Sequence, residues 1–307
     1  MNHVRWFGGK DRLFRLADQW AVSFADRMGV TIARAKPLDL RGCDTHPVEA
    51  WYRAGRYQPV LMEVPLSKLR GLGSAAFPCT RDSGHPFIET LLEYESGKTR
   101  SYAGSALERF YQRWQPRSAA ECLGVGAPRR RSKLTELDAI EAVFPWNRHH
   151  PSVKREIVGH AVRLASRAAY GRILETNNRW HFFGPATAES GEQEYRRLVK
   201  AYASIKRTGY KRSNNADGDI RGVLLFRDDR WCVQIDGGGQ HRSCAMSALG
   251  YTEVPVRLFY CPPMIVRPEE CAYWPHVANG LFDPEGALSF FERVFSGKQP
   301  PLYCNGK

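Results

Sequence analysis

A glycine-rich turn followed by histidine and arginine carries the clearest chemistry in this chain. The run Ile235-Asp-Gly-Gly-Gly-Gln-His-Arg-Ser243 joins a predicted strand to a predicted helix. Three glycines allow a sharp turn and the close approach of a ligand to the backbone. The helix start presents unpaired N–H groups and the positive end of its dipole, and His241 and Arg242 add side-chain donors. The pattern predicts a site for phosphate or another anion; a tight turn without a ligand is the alternative.

The neighbouring segments predict how this loop is positioned. Apolar residues at helical spacing end on Gly209, and buried strands alternate with turns after it. Pro255 favours an edge position for the last strand. The predicted order is a helix over 198–209, a strand over 222–226, a turn at 228–229, a strand over 231–235, the glycine loop, a helix over 243–249 and a strand over 251–258.

This order, with its residues, resembles the ParB/sulfiredoxin superfamily. The resemblance covers roughly residues 190–260 and implies a small mixed sheet with helices on it. It also implies that nucleotide phosphates lie on the glycine loop. Members include chromosome-partition proteins that bind and hydrolyse CTP, sulfiredoxins that use ATP, and nucleotide-dependent small-molecule kinases. The matching residues are Leu198, Ser204, Ile205, Gly209, Gly239, His241, Arg242, Ala245, Leu249, Gly250, Val254 and Pro255.

Two departures narrow what the resemblance implies. Sulfiredoxins have a reactive cysteine where this chain has Gln240, so we expect no sulfinic acid reductase activity. We expect the Gln240 amide to fix the phosphate or the loop instead. Partition proteins continue into a helical DNA-binding domain, whereas the residues after Tyr260 are rich in proline, which disfavours that role.

The resemblance and the loop together predict a phosphotransferase or nucleotide hydrolase that uses ATP or CTP with Mg²⁺. Arg242 and His241 would hold the phosphates, and Arg242 would stabilise charge in the transition state. Asp236 or Asp219 would orient the metal or the acceptor, although each could be a turn or surface residue. The sequence does not determine the metal ligands, the acceptor of the phosphate or which nucleotide base is preferred. The predicted phosphate-binding set is Gly237, Gly238, Gly239, Gln240, His241, Arg242 and Ser243.

The charge of the chain leaves a second class of function open. The formal net charge is +13, which suits nucleic acid, a phosphorylated substrate or anionic headgroups, or merely reflects an arginine-rich composition. A non-catalytic nucleic-acid-binding or nucleotide-sensing protein is therefore the alternative, with a nuclease as a third hypothesis. Salt-sensitive DNA binding without nucleotide turnover would favour this alternative.

The composition indicates a globular protein without a membrane span. Hydrophobic residues make up 43% of the chain, yet no run reaches the roughly 20 apolar residues that a span needs. The N-terminus lacks the apolar core of a signal peptide, so we expect a cytoplasmic protein. The eight cysteines form no CxxC pair and lack zinc-ligand spacing, which favours free thiols.

We expect an α+β fold in two parts. Residues 1–123 are predicted to form a mostly helical accessory part, 124–133 a basic linker, and 134–307 a ParB/sulfiredoxin-like domain with its core at 190–260. Outside that core, the patterns predict helices over 11–28, 85–94, 105–114 and 157–174, a strand over 60–64 and a turn over 67–71.

Overall fold

The computed structural model describes residues 36–55, 58–125, 133–159, 182–212, 219–236, 238–259 and 265–305. The helix predicted over 11–28, most of the predicted linker, and Gly237 lie outside these residues. Where the chain is described, no helix combines the length and the apolar character needed to cross a membrane.

One mixed sheet organises the described chain. Its order is β1-β2-β7-β5-β6-β3-β4, with β8 also paired to β5. β5 runs antiparallel to β6 and parallel to β7, so the expected α+β class and mixed sheet are confirmed. The strands are β1 Leu38–Asp39, β2 Val60–Pro65, β3 Leu69–Gly71, β4 Phe77–Pro78, β5 Ile220–Arg227, β6 Arg230–Ile235, β7 Glu253–Leu258 and β8 Ile265–Val266.

The N-terminal part supplies strands to this sheet in addition to its helices. β2 pairs antiparallel with β7 over six residue pairs, and β3 pairs parallel with β6. The predicted turn over 67–71 is wrong at its end, because residues 69–71 form β3 and are all buried. Since most of β2 is buried as well, these strands need hydrogen-bonding neighbours, and the C-terminal strands provide them.

Proline and polar caps define where most helices begin. His46 accepts the backbone N–H of Val48 at the start of α1, Pro47–Arg53, and His85 accepts that of Phe87 at the start of α2, Pro86–Glu95. Each histidine precedes the proline that opens its helix. Ser105 caps α3 as its sequence predicts. Residues 151–159 are also helical. The other helices are α1 Pro47–Arg53, α2 Pro86–Glu95, α3 Ala106–Arg113, α4 Ala119–Leu123, α5 Lys133–Glu136, α6 Ala188–Thr208, α7 Gln240–Ala248, α8 Pro275–Ala278, α9 Pro284–Phe295 and α10 Pro301–Asn305.

Helices cover both faces of the sheet, as two adjacent residues of β3 show. Arg70 donates from Nε to the carbonyl of Val294 and from Nη2 to that of Phe295, both in α9. A Cβ at Gly71 would lie 2.8 Å from His85 Nε2, at the start of α2, and 2.9 Å from Gln240 Oε1, in α7. Because successive strand residues face opposite sides, α9 lies on one face and α7, with the start of α2, on the other.

The elements around the glycine loop follow the predicted order, with two changes. α7 begins at Gln240, three residues before the predicted start, so Gln240 to Arg242 belong to its first turn. β7 is an internal strand between β2 and β5, not the predicted edge. The proline is tolerated because β5 pairs only with Val256 and Arg257, beyond Pro255.

Candidate functional site

The backbone of the loop depends on glycine at the start of α7. Gly238 and Gly239 have φ values of 146° and 106°. A Cβ at Gly239 would lie 2.7 Å from the Cα of Ile220, a backbone atom that cannot move aside. As the N-cap, glycine also supplies no side-chain acceptor to the first N–H groups of the helix. The sequence pattern thus encodes a close backbone approach and a helix start that is not capped by its own side chain.

The loop folds back on the start of β5. Arg221 donates its backbone N–H to the carbonyl of Gly238 at 3.2 Å, and Asp236 donates to the carbonyl of Arg221 at 2.9 Å. A Cβ at Gly238 would lie 3.3 Å from Arg221 Nη2. The guanidinium of Arg221 therefore lies directly against the glycines.

The side chains of Gln240 and Ser243 point into the protein interior and stabilise the loop through hydrogen bonds on its buried side. Gln240 is 6% exposed, and its Oε1 accepts the backbone N–H of Leu72 at 3.0 Å. This contact joins α7 to the segment after β3. Gln240 was predicted to fix either the phosphate or the loop, and this hydrogen bond is of the second kind. Ser243 is fully buried and donates from Oγ to the carbonyl of Gln240 at 2.9 Å, within the helix.

His241 is oriented by a carboxylate from α6. Its Nε2 lies 2.7 Å from Oε1 of Glu194, and its ring centroid lies 5.4 Å from that of Phe87. Glu194 is buried and also accepts from Arg197 at 2.9 Å. Because a carboxylate bound to arginine accepts hydrogen bonds, Nε2 carries the imidazole proton in this contact.

Asp219 joins several arginines beside the loop. Its carboxylate is 2% exposed. It accepts from Arg212 Nε at 2.6 Å on one oxygen, and from Arg212 Nη2 at 3.2 Å and Arg257 Nη1 at 3.3 Å on the other. Arg242 donates to the backbone carbonyl of Asp219 at 3.2 Å. Both carboxylate oxygens are thus engaged by guanidinium groups, which makes Asp219 an anchor for them.

Four guanidinium groups converge at this end of the sheet, and we call them the arginine cluster: Arg212, Arg221, Arg242 and Arg257. Arg221 and Arg257 are register partners in parallel strands, which places them side by side on one face. Asp219 contributes one negative charge to the four positive charges. The cluster is therefore strongly positive at the point where α7 begins.

Asp236 ends β6 immediately before the glycines and is partly exposed. Burial lowers the pKa of Lys154, while the negative charge of Asp236 acts in the opposite direction. The amine of Lys154, from the helical residues 151–159, thus lies within electrostatic reach of this end of β6. Its position in the sequence gives no sign of this proximity.

Several residues of the site could not be predicted from the local sequence pattern. No local pattern singles out Glu194, Arg221, Arg257 or Lys154, because none of them adjoins the glycine loop in sequence. Strand register brings Arg221 and Arg257 together, and the packing of α6 on α7 brings Glu194 to His241. Only a correct register between strands 36 residues apart in sequence could have revealed the first pair.

Within the part of the chain that the structure describes, no group of three or more His, Cys, Asp and Glu side chains is placed to hold a metal ion. A Mg²⁺ ion that arrives with a nucleotide needs only one or two protein carboxylates, and Asp236 could supply one. Comparison of the chain with protein-family models, with curated proteins and with solved structures found no match.

Proposed function

We propose that this protein binds the phosphates of a nucleoside triphosphate, ATP or CTP, at residues 236–242. We further propose that it acts with Mg²⁺ as a phosphotransferase or nucleotide hydrolase. The observation that carries the proposal is the arginine cluster at the start of α7. Arg212 and Arg257 contact the carboxylate of Asp219, and Arg242 contacts its backbone carbonyl, beside a helix start whose N-cap is glycine. Arg221 lies against Gly238 at the same place.

An anion with several charges would relieve the repulsion within this cluster. Like charges held together raise the free energy of the folded state, and a bound polyphosphate offsets them. Guanidinium groups bind phosphate oxygens in pairs of parallel hydrogen bonds, and the helix start adds backbone N–H donors. Arg221 lies against Gly238, where a ligand could approach without meeting a Cβ.

The order of elements gives separate support. α6, β5, β6, the glycine loop, α7 and β7 follow one another as in the ParB/sulfiredoxin superfamily, to which we propose that residues 190–260 are related. In that superfamily this loop holds nucleotide phosphates. Gln240, at the position of the sulfiredoxin cysteine, supports the backbone of Leu72, so we propose no sulfinate chemistry here.

In the proposed reaction, an acceptor oxygen attacks the γ-phosphorus, the bond to the β-phosphate oxygen breaks, and the nucleoside diphosphate leaves. Water as the acceptor gives inorganic phosphate. Arg242 and Arg221 would stabilise the charge that develops on the transferred group. Because the oxygens of Asp219 are engaged by arginine, Asp236 is the preferred carboxylate for the metal or the acceptor. His241 is held by Glu194 through Nε2, so it would donate to a phosphate oxygen only as an imidazolium that also carries a proton on Nδ1.

A thermal-shift panel tests binding. The wild-type protein should melt at a higher temperature with ATP or CTP and Mg²⁺, since a ligand at 100 times its Kd stabilises by about 2.7 kcal/mol. Arg242→Ala should lose most of this shift and lower turnover by about 10²–10³-fold. Arg230→Ala is the matched control, because it removes a 64% exposed arginine from the start of β6.

The proposal fails if Arg242→Ala keeps both the nucleotide-induced shift and the turnover of the wild-type protein. It also fails if none of the nucleotides raises the melting temperature. Circular dichroism of each variant separates loss of binding from loss of fold.

A further inference from the structure

A second positively charged site lies between α2 and the C-terminal half of α6. An open groove of about 390 Å³ is lined by Tyr94, Glu95, Arg100, Tyr202, Lys206 and Arg207. That volume falls within the roughly 300–1,000 Å³ of small-molecule sites. Lys206 is twelve residues beyond Glu194, which places the groove about 18 Å along the helix from the contact with His241.

Positive charge is concentrated on this part of α6. Residues 195–208 contain five cations and no acidic residue, and all five cations are exposed. Arg196 and Arg197 contact Glu192 and Glu194 in the preceding turn. Towards the helix end the cations continue with Lys200, Lys206 and Arg207. Arg100, from the segment between α2 and α3, adds a charge on the other wall.

Glu95 organises the floor of the groove. Its Oε1 accepts from the hydroxyl of Tyr202 at 2.6 Å and from Lys206 at 3.2 Å, and Arg81 lies 3.9 Å from its other oxygen. These donors hold the pKa of Glu95 below its usual value. The carboxylate is thus already satisfied, and the net charge presented by the groove is positive.

One wall of the groove is formed by an arginine side chain that stacks on a tyrosine ring. The guanidinium carbon of Arg100 lies 5.0 Å from the centroid of the Tyr94 ring, in a cation–π contact. Tyr94 in turn meets Tyr202 edge to face, with centroids 6.2 Å apart. Nucleic-acid bases stack on aromatic rings and on guanidinium planes. This wall can therefore bind a base, and the neighbouring cations Lys206 and Arg207 can bind a phosphate.

We propose that this groove binds a nucleotide unit of a single-stranded nucleic acid. The base stacks on the Tyr94–Arg100 wall, and Lys206 and Arg207 hold the adjacent phosphate. The cations on α6 continue from Arg207 back to Arg196, about 16 Å along the helix. That length passes several phosphates at the roughly 3.4 Å rise of a stacked strand. An acidic peptide would match the positive charge of the groove but would not supply a base to stack on the Tyr94–Arg100 wall.

Fluorescence anisotropy with a labelled oligothymidine tests this site in the full-length protein. The double variant Arg100→Ala/Arg207→Ala should bind about tenfold more weakly than the wild type. The slope of log Kd against log salt should fall by about 0.7 for each phosphate contact that is lost. The double variant Arg53→Ala/Arg230→Ala is the control, since both arginines are at least half exposed, lie outside the groove and carry the same total charge.

A second pair of variants tests the stacking wall. Tyr94→Phe keeps the ring and should bind as the wild type does, whereas Tyr94→Leu should weaken binding about tenfold. A free mononucleotide that displaces the oligonucleotide at a similar concentration would overturn the nucleic-acid strand as the ligand, because the cations on α6 beyond the groove would then add nothing to its binding.

The proposal is overturned if the two double variants lose affinity equally, because the effect would then follow from net charge alone. It is also overturned if the wild-type protein does not bind the oligonucleotide. Arg242→Ala separates the two sites, because this variant should still bind the oligonucleotide. If Arg242→Ala no longer binds it, the binding belongs to the glycine loop and not to the groove.

Discussion

At the scale of single residues, Asp219 holds together charges that would otherwise repel one another. It is nearly inaccessible to water, and guanidinium groups from the segment after α6 and from β7 meet on its two oxygens. A carboxylate in such a position stabilises the fold chiefly because its removal would leave buried positive charge without a partner. Asp219 therefore fixes the geometry of the arginine cluster.

We predict that Asp219→Asn lowers the free energy of unfolding by about 2–3 kcal/mol. This is less than the roughly 3–5 kcal/mol of a fully buried pair, because Arg212 and Arg257 are partly exposed. Urea denaturation measures the change. Asp39→Asn breaks an exposed pair with Arg41 and should cost only about 0–1 kcal/mol. Equal costs in the two variants would contradict the anchoring role of Asp219.

At the scale of elements, α7 has a glycine with a positive φ at each end. Gly239 precedes the helix with φ 106°, and Gly250 follows it with φ 86°. Their surroundings differ: a Cβ at Gly250 would meet nothing within 4 Å, while one at Gly239 would collide with Ile220. The two positions thus separate the cost of backbone conformation from the cost of close packing.

We predict that Gly250→Ala costs about 1–2 kcal/mol, the strain of a left-handed conformation for a residue with a side chain. Gly239→Ala should cost about 1–3 kcal/mol more, because β5 and the helix start must move apart. Only Gly239→Ala should also lose the nucleotide-induced thermal shift. Urea denaturation and the thermal-shift panel measure both effects, and retained nucleotide binding in Gly239→Ala would count against the loop as the phosphate site.

At the scale of the whole molecule, two buried histidines connect stability to pH. Burial lowers the pKa of His85 to about 3 and that of His276 to about 4. In the unfolded chain a histidine titrates near 6.5. Between these values the unfolded state binds more protons than the folded state, so stability rises with pH. This contribution is fully present above pH 6.5 and is lost as the pH falls towards 3–4.

We predict that the free energy of unfolding falls by up to about 1.4 kcal/mol per pH unit for each of these histidines, between pH 6 and pH 4.5. His85→Asn keeps an N-cap for α2 and should flatten this dependence. His46→Asn makes the same exchange at the exposed cap of α1 and serves as the control for the substitution itself. Urea titrations at several pH values measure the slopes, and a slope in His85→Asn as steep as in the wild type would refute the assignment.

The sequence by itself determined the local order of structure around the loop. Apolar periodicity, glycine and capping residues act over a few neighbours, so they located both ends of β5, β6 and α7 to within three residues. They also located the end of α6, which begins ten residues before its predicted start. They also marked the glycines whose positive φ and missing Cβ the structure requires at 238 and 239. His241 and Arg242 could be chosen because they adjoin that turn.

Only the tertiary structure decided which distant residues meet at the site. β2 and β3 joined strands more than 160 residues away, Glu194 reached His241, and Arg257 reached Asp219. Such contacts depend on strand register and on which faces of the helices pack together. A shift of one residue in register would turn Arg257 to the opposite face of the sheet, and nothing in the local sequence around it fixes that register.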